Sequence, residues 1–318
     1  YNGVKMSKLK IVCLDAATLG NADLSAFREF GDFVSYDLTP KDKVIERLKG
    51  ADVAMVNKVV LDEAVLNATN LKLILETATG TNNIAVEYAK SKGIAVKNVA
   101  GYSTQSVTQH TFALLFAFLN EVIYYDEFTK SGKWCKSDIF TDFSRTTYTL
   151  AGKKYGIIGL GAIGKEVAKV ARAFGAQVFY SSTSGANNNA EFARLNLNDL
   201  LSSCDFISIH APLNDKTKNL ITQKEMALLK DGAILINVGR GGIVNEEDLA
   251  LMLDKKPFKA ALDVLESEPM RANHPLLGIK NKQNLIITPH IAFASEESMN
   301  KLIKMVFENL VEWSKNGK

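Results

Sequence analysis

The chain has 318 residues, 47 % hydrophobic and 23 % charged, a globular composition that excludes a disordered, collagen-like or coiled-coil protein. At about 100–200 residues per domain, this length predicts two domains. Its 38 Lys and Arg against 35 Asp and Glu leave a net charge of +3, too near neutral for a protein that holds nucleic acid or an anionic membrane by charge.

Residues Tyr1–Lys5 precede the first methionine and are set aside. From there the chain alternates β-rich runs with helical spacing. Strands are expected at Lys10–Ala16, Asp32–Leu38, Ala51–Val56, Leu71–Thr77 and Ile94–Val99, and helices at Asp23–Phe30, Lys41–Lys49, Leu61–Ala68 and Ile84–Lys92. The strands are continuous Val/Ile/Leu runs rather than alternating ones, the pattern of a parallel sheet covered on both faces. A long helical pattern, Ser103–Lys130, breaks the rhythm, and an irregular polar stretch, Ser131–Thr149, follows it. Six further strands are expected at Lys154–Leu160, Gln177–Ser182, Asp205–His210, Ala233–Val238, Lys259–Leu265 and Leu285–Thr288, before a last helix at Ser295–Lys315. The fold class is therefore α/β, with two doubly wound parallel-sheet domains.

No apolar run reaches the roughly 20 residues of a membrane helix; the longest is Phe112–Leu119. The first apolar stretch, Ile11–Leu14, is too short for a signal-peptide core. Three scattered cysteines, Cys13, Cys135 and Cys204, suit neither a disulfide framework nor a zinc site, so a cytoplasmic protein without a metal is expected.

Gly159-Leu160-Gly161-Ala162-Ile163-Gly164 matches G-x-G-x-x-G directly after a strand and at the opening of a helix, Lys165–Phe174. The first glycine suits a tight turn, the second a close approach of backbone to pyrophosphate, and the third helix–strand packing. The first domain has no such cradle at Asp15–Gly20, so only the second is expected to hold a dinucleotide. A carboxylate for the NAD ribose belongs at the end of the next strand. That place reads Tyr180-Ser181-Ser182-Thr183-Ser184, with neither a carboxylate nor an Arg or Lys for a 2′-phosphate. NAD and NADP both stay open.

Three later strand ends carry candidate chemistry: Arg240 in NVGRGG (237–242), Glu266 and Glu268 before Pro269, and His290 in TPH (288–290). An Arg between glycines suits bidentate capture of a carboxylate. A His is a natural proton donor near neutral pH, and a bonded Glu orients its ring and favours the imidazolium.

With these motifs in place, the chain resembles the D-isomer-specific 2-hydroxyacid dehydrogenases, the family of D-lactate, D-glycerate and hydroxypyruvate enzymes. GLGAIG, ISIHAPL (207–213), NVGRGG, ALDVLESEP (261–269) and TPHIA (288–292) carry the resemblance, which runs from about residue 10 to the end. It implies a Rossmann NAD(P)-binding domain, 104–290, inserted into a flavodoxin-like substrate domain made of 6–103 and 291–318. It implies that Arg240 binds the substrate carboxylate and carbonyl, that His290 is the general acid/base, and that Glu268 is its partner rather than Glu266. Cofactor contacts are implied at Gly159, Gly161, Ala162, Ile163, Gly164, Ser181, Ser182, Thr183, His210, Ala211, Pro212, Thr217, Val238, Gly239, Arg240, Asp263 and His290. Backbone N–H groups at Thr79 and Gly80 are implied to hold the substrate carboxylate. Asn82, Ala85 and Gln109 depart from acidic residues common in the family and bear on substrate detail only.

The expected reaction is hydride transfer between NAD, or NADP, and a small D-2-hydroxy or 2-oxo acid of the glycerate, hydroxypyruvate or glyoxylate kind. A non-enzymatic dinucleotide-sensing corepressor on the same fold is the alternative, and the short tail after His290 favours the enzyme and speaks against an appended regulatory domain. The resemblance also implies a homodimer, packed through the helix Phe112–Phe128. His110 and His274 are expected to be structural.

Overall fold

The computed structural model describes residues 8–186 and 188–315. Tyr1–Lys5, and the parts of the expected substrate domain at 6–7 and 316–318, lie outside them. The chain forms two compact units. One is the described part of Tyr1–Ser103 with that of Ala294–Lys318, and the other is Thr104–Phe293.

In the first unit, β1 (Leu9–Cys13), β2 (Gly31–Ser35), β3 (Val53–Val56), β4 (Leu73–Glu76) and β5 (Ala95–Lys97) form a parallel sheet ordered β2-β1-β3-β4-β5. This is the flavodoxin-like order, with its switch point between β1 and β3. All four residues of β3 and of β4 are buried, which is why neither strand shows polar alternation. The connecting helices are short: α1 (Val44–Arg47), α2 (Glu63–Asn67) and α3 (Val86–Ser91). Where a helix is expected at Asp23–Phe30, only a 3-10 turn forms, Ser25–Phe30. It ends at Gly31, whose φ is 148° and where a Cβ would stand 2.1 Å from the Leu9 carbonyl oxygen. Only glycine lets β2 start this close to β1.

The second unit opens with α4 (Thr104–Asn120) and α5 (Val122–Lys130), one expected helix divided in two. The break is at Glu121, in left-handed conformation at φ 50°. Its carboxylate lies 2.5 Å from the Lys259 ammonium, a tertiary tie that no Gly or Pro announces. Then come β6 (Lys154–Ile158), α6 (Ala162–Ala173), β7 (Gln177–Ser181), β8 (Ala193–Arg194), α7 (Leu197–Ser203), β9 (Phe206–Ile209), α8 (Gln223–Ala227), β10 (Ile234–Asn237), α9 (Glu246–Leu253), β11 (Lys259–Leu262) and β12 (Leu285–Ile287). Their sheet is parallel and ordered β12-β11-β10-β9-β6-β7-β8, seven strands where six are expected. The added strand is the two-residue β8, too short to leave a periodic signal.

Adjacent residues of one strand feed opposite cores. Ile157 and Ile236 pack with Val167, Ala171 and Leu115 on one face. Ile158 and Leu235 pack with Leu200, Met226 and Leu249 on the other. The final helix, α10 (Glu296–Lys315), belongs to the first unit, where Phe307 meets Phe27 and Phe30 edge-on. Among the described residues no helix is long and apolar enough to cross a membrane.

Candidate active site

The glycine loop separates into three roles. Gly159 has φ 93°, and a Cβ there would stand 2.9 Å from the Ala211 amide nitrogen. Gly164 leaves 2.3 Å between its own would-be Cβ and the Gly159 carbonyl oxygen. Both glycines are demanded by the protein's own packing. Gly161 has no heavy atom within 4 Å of a Cβ and an extended backbone. It caps α6 with no side-chain hydrogen bond and no acid in the first turn, so the helix presents its amides and its positive dipole end outward. The space over Gly161 and Ala162 fits the pyrophosphate of a dinucleotide.

Around that loop stand the other expected cofactor residues. The Ser181 carbonyl accepts the Gly159 amide at 2.9 Å, so Ser182 and Thr183 follow directly beside the glycines. The His210 amide extends the sheet to Ile158, while its Nε2 lies 2.8 Å from the Ser208 hydroxyl. His210 Nδ1 is buried with no partner among the described residues, and burial pushes the imidazole pKa down to about 3. The Thr217 hydroxyl is buried and donates to the Pro212 carbonyl at 2.6 Å, so it shapes the Pro212–Thr217 loop from within.

Sequence reasoning finds no cation near the end of β7; the fold brings one. β8 pairs with β7 so that Arg194 stands opposite Tyr180, and its guanidinium donates to the Gly185 carbonyl at 3.2 Å.

Val238 and Gly239 lead from β10 into the turn that carries Arg240. Buried Asn237 ties this turn: its amide donates to the Arg240 carbonyl at 2.9 Å, and its oxygen accepts from Gly239 at 3.1 Å. At Gly241 a Cβ would stand 2.0 Å from the Leu265 carbonyl, so glycine lets the Arg240 turn lie against the segment that leads to Glu268. The half-buried Arg240 guanidinium donates to the Gly239 carbonyl at 2.8 Å.

His290 Nδ1 lies 2.7 Å from Glu268 Oε2, and Glu268 Oε1 accepts the Leu265 amide at 2.9 Å. Glu266 is turned elsewhere in the hydrogen-bond network, its backbone amide donating to the Glu246 carboxylate at 2.6 Å. The peptide between Glu268 and Pro269 is cis. Left-handed backbone at His290, φ 54°, is held by its amide bonding to the Asp263 and Thr288 carbonyls. The Phe293 ring meets the imidazole edge-on at 5.5 Å.

Asp263 organises this turn. Its buried carboxylate accepts the Thr288 hydroxyl at 2.6 Å and the Ile291 and Ala292 amides at 2.9 Å each. Burial opposes its ionisation, but bonds from His110, Thr288 and the two amides outweigh it and hold the carboxyl below its ordinary range. Those amides also place residues 291–293 with the second unit, three residues beyond the expected crossing. His110 is thus less bland than its place in α4 suggests, with Nε2 3.0 Å from the Thr288 hydroxyl. His274 bonds to Glu246 at 2.8 Å and caps the turn at Leu276.

In the first unit, Thr79 and Gly80 follow β4, with the Thr79 hydroxyl bonded to the Val99 carbonyl. Asp15 occupies the switch point: its carboxylate accepts the Asn57, Lys58 and Val59 amides at 2.6–3.1 Å. Beneath them, Glu76 Oε2 accepts from Asn83 at 3.0 Å, while Oε1 is buried without a partner among the described residues. Burial pushes this carboxyl up to about 8, with the Asp15 charge adding to it.

Residues 112–292 match the model of the D-isomer-specific 2-hydroxyacid dehydrogenase NAD-binding domain. A hydroxypyruvate reductase of Blautia hydrogenotrophica is 36 % identical over 97 % of this chain and 98 % of its own. A glycerate dehydrogenase of Methylorubrum extorquens is 36 % identical over 95 % of each. Among solved structures, an acyclic imino acid reductase in complex with NADPH and D-Arg superposes with a TM-score of 0.86, at 28 % identity, over 97 % of this chain and 98 % of its own. By sequence and by fold, the chain belongs to the D-isomer-specific 2-hydroxyacid dehydrogenase family, NAD(P)-dependent oxidoreductases that move hydride between nicotinamide and a 2-hydroxy acid.

Proposed function

We propose that the chain reduces small 2-oxo acids, hydroxypyruvate or glyoxylate foremost, to the corresponding 2-hydroxy acids, of D configuration where the product is chiral, with Arg240, Glu268 and His290 as the reacting set. The observation that carries this reading is the 2.7 Å pair of His290 and Glu268, beside the glycine turn that bears Arg240. When bound, reduced nicotinamide supplies the hydride. Arg240 takes the substrate carboxylate in its guanidinium fork and polarises the carbonyl, so that negative charge arising on oxygen meets a fixed cation. Glu268 engages Nδ1 of His290, which leaves Nε2 as the nitrogen that gives its proton to the carbonyl oxygen. The imidazolium before that transfer is matched by the Glu268 carboxylate. In the oxidative direction the same Nε2 takes the hydroxyl proton. Thr79 and Gly80 are assigned, on the first unit alone, to backbone donation toward a carboxylate.

The hydroxypyruvate reductase and the glycerate dehydrogenase are both named for three-carbon acids, which supports a small substrate. The corepressor alternative has no supporting relative among those named. The test is an absorbance assay at the nicotinamide band with glyoxylate, hydroxypyruvate, pyruvate and 2-oxoisocaproate. Turnover of the small acids supports the reading; binding of dinucleotide with no turnover of any acid overturns it.

We further assign a homodimer and a cytoplasmic location. The apolar residues of α4 are spent in the core of their own unit, so the expected surface moves downstream. Val122, Ile123, Trp134, Ile139, Phe140 and Phe143 are exposed, an apolar area that a second copy would cover. Light scattering at micromolar concentration tests it, and a monomer contradicts it. All three cysteines are free thiols, as a reducing compartment favours.

A further inference from the structure

We infer that the dinucleotide site selects NADPH over NADH, and that Arg194, reaching in from β8, is the residue that reads the 2′-phosphate. The inference rests on the second unit holding a dinucleotide at its glycine loop.

Where NAD is preferred, a carboxylate at the end of the second strand bonds the ribose hydroxyls and repels a 2′-phosphate. Here β7 ends in a run of hydroxyls, Ser181 to Ser184, placed beside the glycines by the bond from the Gly159 amide to the Ser181 carbonyl. Glu191 is the only acid between β7 and β8, and its carboxylate is held by Arg172 at 2.6 Å. Nothing in this loop therefore meets a phosphate dianion with free negative charge.

The loop also gains a cation that no local reading of the β7 end contains. Parallel pairing sets Arg194 opposite Tyr180, one residue short of the end of β7. Its exposed guanidinium reaches forward to the Gly185 carbonyl at 3.2 Å, onto the same turn as Ser182 and Ser184, whose hydroxyls are 3.5 Å apart. A guanidinium is a planar fork with five donors in all. A phosphate monoester carries between one and two negative charges at neutral pH and three acceptor oxygens, which serine and threonine hydroxyls and a guanidinium satisfy together. The 2′-hydroxyl of NADH would meet the same groups without the charge.

The test measures binding, apart from turnover. Titrating the purified protein with NADPH and NADH, followed by the fluorescence of the reduced nicotinamide, gives the ratio of the two affinities. NADPH is expected to bind at least about tenfold tighter, the scale of one charge-assisted hydrogen bond, with adenosine 2′,5′-bisphosphate displacing it better than 5′-AMP. Because the guanidinium is exposed, the preference falls as salt rises from 0.05 to about 0.5 M, where charges are screened within a few ångströms. Arg194→Ala is expected to lower the NADPH-to-NADH affinity ratio about tenfold, and Arg194→Lys to recover part of it. NADH binding as tight as NADPH, or an unchanged ratio in Arg194→Ala, overturns the assignment while leaving the dinucleotide site in place. Failure of both nucleotides to bind removes the dinucleotide site itself and this inference with it.

Discussion

Nδ1 of His290 and Oε2 of Glu268 are 2.7 Å apart, and the same carboxylate is fixed from its other oxygen by the Leu265 amide. The imidazole is therefore oriented by a group that is itself held in place, on a backbone turn fastened by Asp263.

For that pair the expected outcome is a split between binding and chemistry. His290→Ala should lose about 10²–10⁴-fold in kcat, the range of general acid–base catalysis. Its dinucleotide Kd, read by fluorescence, should stay near the parent value. Glu268→Gln keeps an acceptor for Nδ1 but removes the charge, so its kcat should fall between the two. Near-normal turnover by the His290 variant would sink the role given to it.

Arg240 is expected to act chiefly on the substrate. Arg240→Ala should raise KM for a 2-oxo acid by about 10²-fold, the scale of a bidentate ionic contact, and lower kcat as well. Arg240→Lys restores the charge without the planar fork, and should recover only a part of the KM. Steady-state kinetics on both variants decides it. Equal KM in the parent and Arg240→Ala would contradict the carboxylate contact.

The three glycines of the loop make a sharper test, because two serve the fold and one does not. Gly164→Ala forces a Cβ to 2.3 Å from the Gly159 carbonyl and should lower Tm by several degrees, as overpacking does. Gly161→Ala meets nothing within 4 Å, so its Tm should match the parent while its dinucleotide affinity drops. If Gly161→Ala binds nucleotide as well as the parent, no pyrophosphate approaches that residue.

Glu76 predicts a pH effect on stability. Its folded pKa, about 8, is raised above the ordinary 4.5 by burial. Below pH 4.5 both folded and unfolded chains carry it protonated. As pH rises from 4.5 to 8 the unfolded state ionises first, so the stability contributed by the neutral acid declines and is gone above 8. Glu76→Gln keeps an acceptor for Asn83 and does not ionise. Thermal melts should show it more stable than the parent at pH 8, with the gap closing toward pH 4.5; a gap independent of pH would rule the protonation out.

Much of this was legible from residue types alone. Continuous apolar runs such as Val53–Val56 announced buried parallel strands, and the motif segments around Arg240, Glu268 and His290 sit at the C-terminal ends of β10, β11 and β12, as in any doubly wound sheet. What stayed hidden depends on tertiary contact. Glu121 ends α4 through its bond to Lys259, 138 residues away, with no helix breaker beside it. Arg194 joins the end of β7 through a strand of two residues. His110 looks like an ordinary helix residue until Thr288 is folded against it.

Asp15 has a consequence for the kinship of the two halves. Both units present converging strand-end amides, the arrangement that invites an anion. In the first the invitation is answered from within, by a carboxylate that the chain carries itself. A single aspartate thus fills from within the place where these amides converge, and removing it would leave all three without their internal acceptor.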